Sequence, residues 1–230
     1  MFFTIRHWPK DNLLFLIGAI VCMVWVLVAL FADQIVPYDP LSQDLVRRFE
    51  PPSYDHWFGT DTLGRDIFSR VLVGSRLSLT AGVLTVLIAG TIGSLFGAIA
   101  GYFGGLIDDI MMRVSEMVMA FPAIILAMTI TAALGPSLYN TILAMVIVSW
   151  PNYARVMRSM VIYVKQNEYV DAAIIMGGSR FRTLISEVLP NSLGPVIVMG
   201  TLDLGNAILI FSGLSFLGLG APPPNPEWGA

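Results

Sequence analysis

Residues 168–191 read EYVDAAIIMGGSRFRTLISEVLPN, a polar stretch rich in small residues set between long apolar runs. Its residue types describe a short helix, a turn and an exit. Ala172-Ala173 leave a helix face small enough to fit closely into a groove, while Glu168, Asp171, Arg180 and Arg182 would face a partner or water. Gly177-Gly178 supply the φ > 0 conformations that turn a chain between two helical pieces. Leu189-Pro190 is expected to close the stretch, because proline cannot continue the donor pattern. On residue types alone, a docking element and an ordinary amphipathic loop helix fit equally. The rest of the chain has to separate them.

Working outward, Leu13 to Ala32, Leu77 to Ala100, Met117 to Leu134 and Leu138 to Ala154 are uncharged apolar segments, and Ser192 to Leu219 is broken only by Asp203. The first, at about 1.5 Å per residue, covers a hydrocarbon core of about 30 Å. Five spans are expected. Arg6 and Lys10 ahead of the first run would also suit a signal peptide, but the run is longer than a usual h-region, and Leu30 stands where cleavage after Ala32 wants a small residue. A retained anchor is the expectation. Only Gly135-Pro136-Ser137 separates the third and fourth segments, which predicts a tight hairpin.

Arg6, Lys10, Arg113, Arg155, Arg158, Lys165, Arg180 and Arg182 fall in connections that the positive-inside rule assigns to the cytoplasm. The segment 33–76 carries five arginines against seven acids, but it is long, and long loops are discounted in that rule. The N-terminus and 168–191 are thus expected in the cytoplasm and 33–76 outside. Placement between spans and on the basic side favours docking for 168–191.

Composition agrees with a membrane protein: of 230 residues 56% are hydrophobic and 13% charged, with a mean hydropathy of +0.74. The net charge of −3 and the absence of a basic block argue against a nucleic-acid partner. The single cysteine, Cys22, permits neither an intramolecular disulfide nor a cysteine-based metal cluster. His7 and His56 both lie outside the spans, so HExxH zinc chemistry and an intramembrane Ser/His dyad are ruled out. One intraspan aspartate makes no aspartyl dyad. There is no Gly-rich Lys-Ser/Thr phosphate loop. No catalytic residue, cofactor or metal is expected.

Asp171-Ala172-Ala173, Gly177 and Leu189-Pro190 closely resemble the EAA loop of binding-protein-dependent ABC importer permeases. Two positions depart from that pattern: Asp171 stands where glutamate is usual, and Glu187 where an aliphatic residue is usual. GTDTLGRD at 59–66 with Ser69-Arg70 and Gly74-Ser75-Arg76, AGYFGG at 100–105, LSFLGLGAPPP at 214–224 and PEWG at 226–229 are similar to the signature of the peptide and nickel branch, and most of all to its C-type subunit. The resemblance implies an all-α polytopic membrane protein with the type I ABC importer permease fold. It implies import of dipeptides or oligopeptides, with nickel chelates or glutathione as alternatives, and ATP hydrolysis in a partner. Its partners would be a homologous permease in a heterodimer, two cytoplasmic ATPases and an extracytoplasmic substrate-binding protein, in a bacterial or archaeal inner membrane. Glu168, Asp171, Ala172, Ala173, Gly177, Leu189 and Pro190 would contact the ATPase. An N-terminal anchor helix with its external loop, 1–76, would precede a permease core, 77–230. In the family PEWG is followed by a further helix, so a sixth span is expected to be missing here and the chain to be C-terminally incomplete. A non-transporting scaffold or remnant is the reading of another class; an ion channel would want a ring of charges or a carbonyl filter.

Gly93, Gly97 and Gly101 recur every four residues and predict a small face, widened by Gly90, on which another helix approaches closely. Pro122 and Pro151 predict kinks inside the third and fourth segments. Arg113 and Glu116, three apart, predict a surface pair. Asp203 is the one ionisable side chain well inside a span, and reads either as part of a polar translocation pathway or as a carboxylate hydrogen-bonded to Thr201, Asn206 or a partner helix.

Overall fold

A computed structural model of the chain describes residues 13–229; Arg6, His7 and Lys10 lie outside the described residues. Helix follows helix: α1 (Leu13–Ile35), α2 (Ile67–Phe103), α3 (Gly105–Met119), α4 (Ala123–Leu134), α5 (Leu138–Val164), α6 (Glu168–Ile175), α7 (Arg180–Thr183) and α8 (Leu189–Phe216), with a 3₁₀ turn at Leu45–Arg47. Among the described residues the only β pairing is an isolated bridge between Thr60 and Asp66. The fold is all-α. Two compact units are distinguished, one formed by the described part of 1–79 with Pro223–Trp228 and one by Thr80–Pro222 with Gly229.

In the first unit, α1 is exposed along nearly its whole length, with only Ala32 buried. Arg76 ties it down, donating to the carbonyls of Ala29 (2.5 Å) and Leu30 (3.1 Å) and to the Asp33 carboxylate (2.6 Å). The 36–66 segment is folded by its own turn chemistry. Gly59 and Gly64 take φ of +75° and +74°. The Asp61 Oδ1 accepts from the backbone N–H groups of Leu63 (2.8 Å) and Arg65 (2.9 Å), and Oδ2 from the Arg65 guanidinium (2.6 Å). His56 Nδ1 lies 2.9 Å from Asp66 Oδ1, while Ser69 donates to Asp66 Oδ2, so the carboxylate stands between hydroxyl and ring.

Burial pushes the Asp61 carboxyl up, but the two backbone donors and the Arg65 side chain outweigh it and hold it below its ordinary value. A depressed folded-state pKa means stabilisation that is complete at neutral pH and lost only as the pH falls below the usual carboxylate range of about 4. Limited proteolysis within 44–66 is therefore expected to be unchanged between pH 7 and 5 in the wild-type chain and markedly faster at both in Asp61→Asn. Equal cleavage of the two would remove this turn as the organiser of the segment.

The second unit is built around α5. Tyr153, Met157, Val161 and Val164 of α5 form a core cluster with Ala127, Phe211 and Leu214. The glycine stripe of α2 does what its spacing predicts. A Cβ on Gly97 would strike Ala154 and come within 2.9 Å of Arg158 N; on Gly93 it would come within 2.6 Å of Tyr153 Cβ; on Gly101, 2.8 Å from the Arg158 carbonyl. Backbone meets backbone there because no side chain intervenes. The α4–α5 hairpin is as expected: Gly135 has φ +89°, the Ser137 hydroxyl caps α5 through the Asn140 N–H, and Asn140 Nδ2 closes the turn on the carbonyls of Leu134 (3.0 Å) and Gly135 (2.8 Å).

Three expectations need correction. Met117 to Leu134 is not one straight span: α3 stops at Met119, Pro122 caps α4, and the two helices are bent by 83°. Proline disfavours helical backbone at Phe121 before it, so the chain breaks rather than kinks. Leu189-Pro190 hands the 168–191 stretch over to the next span as expected, at the first turn of α8, but does not break the helix, which is continuous over Arg180–Phe216. The spans also differ in number. α1, α2 and the continuous Arg180–Phe216 are long and apolar enough to cross a membrane, four segments if the bent α3–α4 pair is one span, against five expected. α5 is long enough, about 40 Å, but Asn140, Asn152, Arg155 and Arg158 make it less apolar than the others.

Candidate functional site: the 168–191 segment and a polar cavity

α6 begins after Asn167, and Glu168 and Asp171 sit exposed in its first turn, where the helix dipole favours negative charge. Val170 is fully buried and joins the core cluster with Leu184 and Val188, so three apolar anchors fasten the segment to the unit that holds α5. Ala172 is exposed and Ala173 half-buried. The turn after α6 separates the two glycines. Gly177 takes φ +90° with nothing within 4 Å of a Cβ position, so its need is conformational. At Gly178 a Cβ would lie 2.7 Å from the Ala173 carbonyl and 3.1 Å from Thr183 Oγ1, so its need is space.

Beyond the turn the Ser179 hydroxyl caps α7, and a π-turn over Leu184–Val188, closed by Leu189 N–H on the Leu184 carbonyl, runs straight into α8. Widening the turn in this way accommodates Pro190, which has no N–H to give. Residues 180–216 thus form one helical rod joining the segment to the last span. Around its start the sequence reading missed an exposed apolar set: Ile175 (84% exposed), Met176 (82%) and Phe181 (64%). The signal lay in IIM at 174–176, three apolar residues running off the end of a polar-faced helix.

Asp203 is not brought to that segment. It lies 14 residues into α8 from Leu189, about 21 Å along the axis. It lines a cavity of about 130 Å³ with Thr85 of α2, Ser149, Asn152 and Tyr153 of α5, and Asn206 of α8, floored by Ala123 and Ala127 of α4. Thr201 turns to the Val198 carbonyl instead. The Tyr153 hydroxyl lies beside the Asp203 carboxylate, and among the described residues neither it nor the Thr85 hydroxyl closes a hydrogen bond of good geometry, although both residues are 1% exposed. Thr85, Ser149, Asn152 and Tyr153 were missed because they lie 50 or more residues away on other helices. Pro122, read as a kink, instead sets the angle at which α4 reaches the cavity.

Elsewhere in the unit, Arg158 grips Asp108 in a two-point ion pair (2.5 and 2.6 Å) and Lys165 donates to the Tyr102 carbonyl at 2.7 Å. Both partnerships let α5 continue to Val164, ten residues past its expected end. Arg113 and Glu116 form the exposed pair expected of them, at 3.6 Å. No group of three or more metal-ligating side chains occurs among the described residues.

Residues 93–230 match the binding-protein-dependent transport system inner membrane component family. The chain belongs to that family. Residues 10–52 match in addition the N-terminal TM domain of oligopeptide transport permease C. A probable D,D-dipeptide transport system permease protein of Escherichia coli K12 is 46% identical over 221 residues, which is 96% of this chain and 74% of the relative. A dipeptide transport system permease protein of Alkalihalophilus pseudofirmus is 44% identical, covering 96% and 72%. A glutathione transport system permease protein of Pectobacterium atrosepticum is 39% identical, covering 98% and 75%. This inner membrane component is therefore a multi-pass transport permease subunit and a member of a multi-subunit transport system.

Proposed function

We propose that this permease is the C-type subunit of an ATP-driven importer of dipeptides or short oligopeptides, and that 168–191 converts motion of the ATPase into motion of the spans. The observation that carries the coupling role is the continuous rod 180–216: a push on the exposed face of α6 and the 177–178 turn moves α8, and with it Asp203, as one body. Asp171, Ala172 and Ala173 form the small docking face, with Ile175, Met176 and Phe181 adding apolar contact. ATP would be hydrolysed by two cytoplasmic subunits, a homologous permease would complete the pathway, and an extracytoplasmic binding protein would deliver the cargo. The bound nucleotide biases two states of the assembly that differ in how the helices rock. Residues 1–76 serve as anchor and external loop, 77–230 as the permease core, and Asp203 lies on the pathway. Glutathione is the second cargo reading, supported by relatives that transport it. Proteoliposomes holding the complete importer are expected to take up Ala-Ala faster than glutathione; the reverse order would replace the first reading by the second.

Orientation is checked separately. Thr62 and Gln166 are exposed, so in a Cys22→Ala chain an impermeant thiol reagent added to sealed cells is expected to label Thr62→Cys and to spare Gln166→Cys until the membrane is opened. Labelling of Gln166→Cys in sealed cells would invert the topology and remove 168–191 from the ATPase side.

A further inference from the structure

The cavity beside Asp203 has a chemistry of its own. Among the described residues Asp203 is the one charged side chain in its lining, with no Lys or Arg beside it. Around that carboxylate stand the Thr85 and Tyr153 hydroxyls, enclosed and without a hydrogen bond among the described residues, together with Ser149, Asn152 and Asn206. Buried polar atoms without partners cost free energy that a ligand can recover. Such a site wants a ligand with one positive charge and several N–H donors. A divalent ion would want six or more oxygens and more than one carboxylate. The remaining lining is apolar, Ala123, Ile124, Val148 and Met199 among it, and suits a carbon substituent that a bare alkali ion does not have. The space holds several water-sized groups, enough for an ammonium head and its first carbons.

We infer that this cavity binds the terminal primary ammonium group of a peptide during its passage, with Asp203 supplying the charge and Thr85 and Tyr153 the neutral contacts. The inference rests on the peptide-importer reading and adds to it a recognition step inside the permease, separate from any selection by the delivering protein.

The test uses the complete permease–ATPase complex without its binding protein, so that ligand meets the permease directly. Ser149→Cys in a Cys22→Ala chain places a thiol in the lining. Ala-Ala and methylammonium are each expected to slow its modification by a small thiol reagent at least about fivefold, while N-acetyl-Ala-Ala and potassium chloride do not. Asp203→Asn is expected to abolish protection. Tyr153→Phe and Thr85→Val, which remove one hydroxyl each, are expected to raise the half-protecting concentration about three- to tenfold, and they decide the matter if Asp203→Asn does not assemble. Equal protection by N-acetyl-Ala-Ala, equal protection by potassium, or no protection by any probe would each overturn the ammonium site. Protection by methylammonium and not by Ala-Ala would leave a free-ammonium site and overturn peptide recognition. Uptake of Ala-Ala by the wild-type complex with its binding protein is measured alongside: uptake without protection defeats this inference alone, and absent uptake defeats the peptide-importer reading.

Discussion

Gly177→Val is expected to lower uptake by the complete importer at least about tenfold, while Gly177→Asn retains most of it. The contrast follows from the turn after α6. With φ at +90° and no atom within 4 Å of a Cβ position, a side chain at 177 meets no obstacle, and all of its cost lies in the backbone. Left-handed backbone costs an L residue about 1–2 kcal/mol, more for a β-branched one, and asparagine tolerates it best. The turn holds an eight-residue helix, whose one buried anchor is Val170, against the start of the rod 180–216. A shift of about 1.4 kcal/mol changes its docked population tenfold. Ala173→Arg is expected to abolish uptake by another route, by filling the docking face. Both variants should insert into the membrane normally, since insertion follows the apolar segments. The accompanying measurement is recovery of the ATPase with the purified permease, which should fall for Gly177→Val and Ala173→Arg but not for Gly177→Asn. Wild-type uptake with normal ATPase recovery in Ala173→Arg would end the claim that 168–191 is the coupling element.

What could be read from the chain was local or periodic. The Gly135-Pro136-Ser137 hairpin and the four-residue glycine spacing each rest on residues close together in the chain, and each appears in the structure as expected. Helix ends were harder, because what moved them was tertiary. The apolar run from Leu77 is only part of α2, which begins at Ile67, and Arg76 inside it is bound to carbonyls of α1. α5 passes Arg155 and Arg158 because Asp108, 50 residues away, neutralises the latter. At Pro190 the same rule that ends helices also places proline in their first turn, and only the π-turn ahead of it shows which applies. The environment of Asp203 was the least legible: the carboxylate was visible as an anomaly in an apolar run, but Thr85, Asn152 and Tyr153 come from other helices and have no pattern tying them to it.

Gly97→Leu is expected to be the most damaging single change in the second unit, leaving little or no recoverable folded permease. In a membrane, lipid is as apolar as the side chains, so helix association depends on close packing and on polar contacts rather than on hydrophobic burial. α2 obtains that packing through Gly93, Gly97 and Gly101, whose Cα atoms lie against the backbone of α5 from Trp150 to Arg158. The obstacles at Gly97 are main-chain atoms of Ala154 and Arg158, which no rotamer change can clear, so even one methyl group forces the helices apart. Separation would also draw Thr85 of α2 away from Tyr153 of α5 and open the polar cavity. Gly97→Ala is accordingly expected to lower thermal stability in detergent by several degrees and Gly97→Leu to prevent recovery of a monodisperse complex. Gly18→Ala, at a site with nothing within 4 Å, should be neutral or slightly stabilising, since alanine is the better helix former by about 1 kcal/mol. If Gly97→Leu eluted as wild type with unchanged melting, the α2–α5 contact would not hold this unit together.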